Sequence, residues 1–298
     1  MEEEIRPEST GLPTSGLLRL QARAPNLLAW LGPAWAVLCG VIASGAFDGR
    51  SGGWLRLALL ILLVDGGWGS LWAAIGATDW ATPLSRWQEW GRSAPTARLP
   101  YTLPGAPGGK LNHLLGGFRA WWGEVLWPTC GSALLTLLVA LPTSALLAVL
   151  LGMELLLLSA AALAAMQLGA IWQRGRKKVA PGWDALIAIG MPWVAGHITF
   201  GPTTLRSVGM ATLFALAWGA AAGVRSRLGQ GLTIGGQLLV VVSLVVLESP
   251  FAAGAVFLLL VPHVSLLARV RQGHEPAMYV RLTRPWLMAA MLVAALSL

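Results

Sequence analysis

The side chains able to do chemistry here are few, and the most conspicuous is Asp65. It sits alone in "LLILLVDGGWGSLWAAIGATDW", residues 59–80, an apolar run with glycines and tryptophans on both sides. A carboxyl at membrane depth costs about 2.5–3.5 kcal/mol on insertion scales, so one that is kept there is a functional candidate by default. Its possible roles are a remnant catalytic acid, a ligand, or a polar contact between helices that approach closely at Gly66, Gly67 and Gly69. Glu154, in "GMELLLL", lies toward the outer half of its own apolar run and would face a neighbouring helix. Glu248 stands at a run boundary and reads as a solvated end, and Glu124 reads as interfacial.

Three histidines lie in or beside apolar runs: His113 in "KLNHLLGG", His197 in "MPWVAGHITFGP" and His263 in "LLLVPHVSLL". Neutral imidazole is a good axial donor to the magnesium of a chlorin or to iron. Each is therefore a possible pigment or cofactor ligand, although an interhelical hydrogen bond serves equally well. His274 falls in a basic loop and reads as solvated. Cys39 and Cys130 show neither CxxC nor CxxH spacing and imply neither a disulfide framework nor a metal site.

The chain has 16 tryptophans. Trp54, Trp121, Trp122, Trp172, Trp183 and Trp286 fall at the ends of apolar runs and read as an interfacial belt. Trp68, Trp72 and Trp218 stand inside runs instead. Rings in those positions either fill a cavity or form the wall of one that takes a lipid, quinone, carotenoid or (bacterio)chlorophyll.

The elements that must position these residues follow from composition. Of 298 residues, 56% are hydrophobic and only 11% charged, and the mean hydropathy is +0.66. Soluble domains carry about 25% charge, whereas runs of about 18 apolar residues cross a hydrocarbon core. The chain is predicted to be an all-α integral membrane protein embedded in a lipid bilayer. Nine spans are expected, at 26–46, 54–77, 120–141, 143–172, 184–200, 206–224, 232–248, 250–268 and 285–298. Residues 1–25 read as a polar segment without the pattern of a signal peptide, and 26–298 as one transmembrane domain.

Charge sets the orientation. Of 21 Lys and Arg residues, all but Arg50, Arg56 and Arg206 fall on one side of this layout. Basic residues gather on the cytoplasmic side, which places the N-terminus inside and the C-terminus outside. The net charge of +8 then reports topology, and no nucleic-acid partner is expected. Outer connections are short, at Pro142–Thr143 and at 248–250. The cytoplasmic stretch 78–119 is long, its first half compatible with a short interfacial helix.

Three strings carry a family likeness. "LLRLQARAPNLLAWLGPAWAVLCGVIASGAF" resembles the start of UbiA-type prenyltransferases, the family of chlorophyll, heme O and quinone-pathway enzymes. The likeness rests on Leu18, Arg23, Pro25, Asn26, Leu27, Leu28, Gly32, Pro33 and Gly40. "RGRKKVAPGWDALIAIGMPWVAGH" and "YVRLTRPWLMAAMLVAAL" are similar to a basic loop with its following helix and to the end of the same family. The resemblance implies a nine-helix bundle in which two acidic clusters hold Mg²⁺ against a diphosphate, one ending the second helix and one following the sixth.

This chain departs from that pattern at both places. The first cluster would fall near 65–76, which reads "DGGWGSLWAAIG", and the next aspartate after Asp65 is Asp79. The second would fall in 216–233, where there is neither Asp nor Glu. The expectation is a non-catalytic relative, a structural or assembly subunit beside other integral membrane subunits in a cytoplasmic or photosynthetic membrane. The alternative is a divergent prenyltransferase that carries a polyprenyl group from its diphosphate to an aromatic or chlorin acceptor. "VDGGWGSLW" reads as a dismantled motif, close-packed through glycine and plugged by tryptophan.

Overall fold

A computed structural model of the chain describes residues 27–49, 51–76, 78–86, 107–172, 181–271 and 275–298. The expected N-terminal segment, His274 and much of the long loop lie outside the described residues. Among them no strand occurs, and helices follow one another throughout. They are α1 (Leu27–Ala43), α2 (51–76), α3 (Ala81–Ser85), α4 (107–151), α5 (Met153–Trp172), α6 (181–200), α7 (Leu205–Ala222), α8 (Arg227–Val246), α9 (Pro250–Arg271) and α10 (Pro276–Leu296). Helices α2, α4 and α6 each contain a π-helical stretch, at Leu62–Trp68, Trp122–Leu126 and Leu186–Gly190. Six helices, α2, α4, α5, α7, α8 and α9, are long and apolar enough to cross a bilayer. With little water at that depth to bond backbone amides, helices are one of the two architectures that satisfy them.

The connections show which helix ends meet. Trp72, near the end of α2, bonds Asp184 at the start of α6, and Asp184, Trp218 of α7 and Arg284 of α10 border one cavity. At the opposite end, Gly201 after α6 abuts Ser44 after α1, and Ser249 bonds the Ser297 carbonyl. Arg86, Arg225, Arg227, Arg269, Arg281 and Arg284 fall at the first of these ends, while Arg206 starts α7 at the other. The bundle thus has a basic end.

Helices α1 and α6 form its axis, because both contribute to each of the two large buried clusters. Val37, Val41 and Ala195 pack with α2, α4 and α5, and Ala36, Cys39 and Trp193 pack with α7 through α10. The two helices cross backbone to backbone. A Cβ on Gly40 would land on the Trp193 carbonyl oxygen, and one on Gly196 on the Val37 carbonyl oxygen.

Two boundaries differ from the sequence reading. Pro142 does not end a helix: α4 runs through it to Leu151, and the turn comes at Gly152, where φ is +128°. Proline is tolerated inside a membrane helix when neighbouring groups satisfy the backbone, whereas few residues other than glycine adopt that φ. The second boundary is the start of α4 at residue 107, so the last part of the expected loop is helix. From residue 107 to 151, at 1.5 Å per residue, α4 is about 67 Å long and exceeds a bilayer of about 40–45 Å. The short α3 packs beside it, with Trp121 Nε1 donating to the Pro83 carbonyl at 3.0 Å. Trp121 is accordingly buried, whereas Trp54, Trp122, Trp172 and Trp286 are exposed. Asp79 caps α3: its Oδ1 accepts from the Ala81 and Thr82 amides and its Oδ2 from the Thr82 hydroxyl. The Thr82 hydroxyl bond, followed by these amides, holds the Asp79 carboxyl below the usual carboxylate range.

Candidate functional site

Asp65 lies in the π-helical stretch Leu62–Trp68 of α2 and is 3% exposed. A π-helical turn carries an extra residue and often marks a functional position. What surrounds Asp65 is tight packing. A Cβ on Gly67 would collide with the Ser144 hydroxyl of α4 and come within 3.3 Å of its Cβ, so α2 and α4 touch through the glycine. Trp68 is 1% exposed, in a cluster with Leu60, Leu63, Leu147, Leu155 and Met166. Its Nε1 is buried with no hydrogen-bond partner. The ring serves here as volume between α2, α4 and α5.

Trp72 is placed differently from Trp68. It is half-buried at the basic end, where its Nε1 donates to Asp184 Oδ1 at 2.6 Å. Its ring and that of Trp183 close over Gly169 of α5, where a Cβ would meet them at 3.3 and 3.4 Å. Trp218 is also at the basic end, on α7, lying 3.5 Å from where a Cβ on Gly32 would sit. The Arg284 guanidinium stands over the Trp218 indole, 5.2 Å from the ring centroid. A cavity of about 80 Å³ lies beside this pair, bordered by Asp184, Gly219, Ala222 and Thr283 among others.

The remaining expected residues do not join these sites. Glu154 falls in the first turn of α5, beside the Gly152 turn, and is exposed. Moving the turn from Pro142 to Gly152 moves Glu154 from membrane depth to a helix end, so it is not an interhelical contact. Glu248, at φ +58°, forms the exposed turn between α8 and α9. His197 is 3% exposed, and its Nε2 donates to the Pro202 carbonyl at 2.9 Å, tying down the end of α6. His263 is fully buried, with its edge toward Tyr279 and its Nδ1 3.1 Å from Gln237 Nε2. An amide nitrogen only donates, so Nδ1 accepts and the ring proton sits on Nε2. Both rings are buried. Of the three histidines only His113, on the first stretch of α4, has an exposed side chain. Among the described residues, no group of three or more His, Cys, Asp or Glu is placed to hold a metal ion.

The Gln237–His263 pair gives a stability expectation. Removing one partner leaves a polar group stranded in a dry interior, whereas removing both does not. Gln237→Leu is expected to cost about 1–3 kcal/mol, and the double variant with His263→Leu to recover part of that loss. Unfolding midpoints in detergent read both, and a double variant less stable than Gln237→Leu would contradict the pairing.

Sequence reasoning missed Asp184 and Arg284. Arg284 counts among the topology-setting charges, and Asp184 stands in the first turn of α6, where an acid interacts well with the helix dipole. The available signal was their company: each lies next to a tryptophan-bearing helix end, in "PGWDAL" and "LTRPW". No family model, curated protein or solved structure matches the chain.

Proposed function

We propose that this chain is a non-catalytic member of the UbiA-like bundle, crossing the membrane nine times with its N-terminus in the cytoplasm. In this reading it is a structural or assembly subunit of a pigment- or quinone-containing complex in the cytoplasmic or photosynthetic membrane. The nine crossings are the six long apolar helices together with α1, α6 and α10. The gathering of arginines at one end supports placing that end in the cytoplasm.

The observation that carries the non-catalytic reading is the packing at Asp65. Where the resemblance places a first acidic cluster, there is one carboxyl between a glycine–serine helix contact and the buried Trp68 ring. Mg²⁺ held against a diphosphate needs several carboxylate oxygens and water around an octahedral ion. A lone acid in a packed helix interface provides neither the ligands nor the space. At the second place, Trp218 lies under the Arg284 guanidinium, a positive charge where divalent cations would have to gather.

Isolation from native membranes in mild detergent, with identification of co-purifying subunits and an absorption spectrum, tests the subunit role. The expected result is a stable complex with at least one other integral membrane chain and a bound pigment or quinone. A chain that purifies alone, colourless and quinone-free, would overturn it.

A further inference from the structure

We propose that the cavity beside Arg284 is a binding site for the phosphate of an anionic lipid headgroup. The site stands on the geometry of the basic end and does not require the subunit role.

Arg284 Nε is buried and has no hydrogen-bond partner. One face of the guanidinium is occupied by the Trp218 ring, so its in-plane N–H edge remains for a ligand. That edge matches the paired oxygens of a phosphate. A cavity of about 80 Å³ borders it, where one water needs about 10–15 Å³ on the same measure; the space holds several water-sized groups. The wall is cut back to small residues, Gly219, Ala221 and Ala222, which lets a group approach without displacing a side chain.

The charge balance favours an anion. Asp184 also borders the cavity, but it is exposed and its Oδ1 is engaged by Trp72. Water screens an exposed carboxylate far more than it screens a buried nitrogen. Arg225, Arg227 and Arg281 are exposed at the same end and add to the attraction for an anionic bilayer surface. Basic recesses between helices at such an end are the usual sites for acidic headgroups. A lipid is the fitting source of the phosphate because Val280, half-buried beside the cavity, continues its wall as apolar surface, along which an acyl chain can lie. Inorganic phosphate would use the same guanidinium but gain nothing from that wall.

The full-length protein, placed in vesicles of phosphatidylcholine with and without phosphatidylglycerol, is extracted and examined by native mass spectrometry for retained lipid. Wild type is expected to retain one phosphatidylglycerol in preference to phosphatidylcholine. Arg284→Gln is expected to lower that retention about tenfold or more, as loss of a charged hydrogen bond does. Ala222→Leu fills the cavity while leaving the guanidinium, and is expected to lower retention to a similar degree. Arg206→Gln removes an exposed charge at the opposite end of the bundle and is expected to change it little. Circular dichroism and elution volume establish that each variant is folded. Should Arg284→Gln misfold, the Ala222→Leu result decides alone.

Equal retention in Arg284→Gln or Ala222→Leu would overturn the site. Millimolar inorganic phosphate displacing the lipid completely would show a free-phosphate site and overturn the lipid assignment. Displacement by a polyprenyl diphosphate that the protein then cleaves would make the cavity a substrate site, sinking both this proposal and the non-catalytic reading. A missing partner subunit in the isolation experiment leaves the lipid result standing, so the two failures are distinguishable.

Discussion

Gly40→Ala is expected to destabilise the bundle by about 3 kcal/mol, at the upper end of the range for overpacking, and Gly40→Leu to prevent its assembly. The added methyl would meet backbone: it falls on the Trp193 carbonyl oxygen, 2.8 Å from the carbonyl carbon and 3.0 Å from the His197 nitrogen. A side chain can rotate out of such a collision, but a helix backbone cannot. Helices α1 and α6 would have to separate, and Ala36, Val37 and Ala195, all fully buried, would lose their packing. In a bilayer, helices associate largely through close packing of this kind at small residues. Gly196→Ala should act from the other side, since its Cβ would strike the Val37 carbonyl oxygen. Because both substitutions push the same pair apart, the double variant should cost less than the sum. Gly235→Ala is the control. It is a helical glycine in α8 whose Cβ would meet nothing within 4 Å, so it should leave stability unchanged or raise it by up to about 1 kcal/mol. Denaturant unfolding in detergent micelles measures these variants. A Gly40→Ala protein as stable as Gly235→Ala would show that α1 and α6 do not cross in this way.

Trp68→Ala is expected to cost about 3–5 kcal/mol, as for other fully buried aromatic rings, and Trp72→Ala only about 1–2 kcal/mol. Both lie on α2, yet they do different work. Trp68 fills the space between α2, α4 and α5, and its removal leaves a void. Trp72 is half-buried and loses chiefly its bond to Asp184, a carboxylate that water can then solvate. Trp68→Phe separates volume from polarity: the indole N–H makes no hydrogen bond, so phenylalanine keeps most of the ring and removes an unsatisfied donor. It should be far less costly than alanine. If Trp68→Phe were as damaging as Trp68→Ala, the N–H would have a partner in the working protein and the plug reading would fail.

The all-helical, multi-pass character was legible because apolar runs of membrane length leave little choice of structure. The error at Pro142 shows where that legibility ends. Proline breaks helices in water, and the membrane relaxes that rule, while Gly152 carried a conformational signal that hydropathy does not register. Glu154 was misplaced as a consequence, since its depth depends on where the turn falls. At Asp65 the neighbouring glycines read as a place of close helix approach, and nothing in the sequence identified Ser144 as the group pressed against Gly67. Trp72 and Trp218 were singled out as unusual, yet they work through Asp184 and Arg284, more than 60 positions away along the chain. Pairings of that kind arise from which helix ends meet, and the adjacent tryptophans in the sequence do not say which end meets which.

The most direct test of the central claim, that the Asp65 region is packing and not chemistry, is a turnover assay on the purified full-length protein. The protein would be incubated with Mg²⁺, a radiolabelled polyprenyl diphosphate and aromatic or chlorin acceptors, and released diphosphate counted for wild type and Asp65→Asn. The account predicts no release above the protein-free rate for either. Magnesium-dependent release by wild type that disappears in a folded Asp65→Asn variant would contradict it.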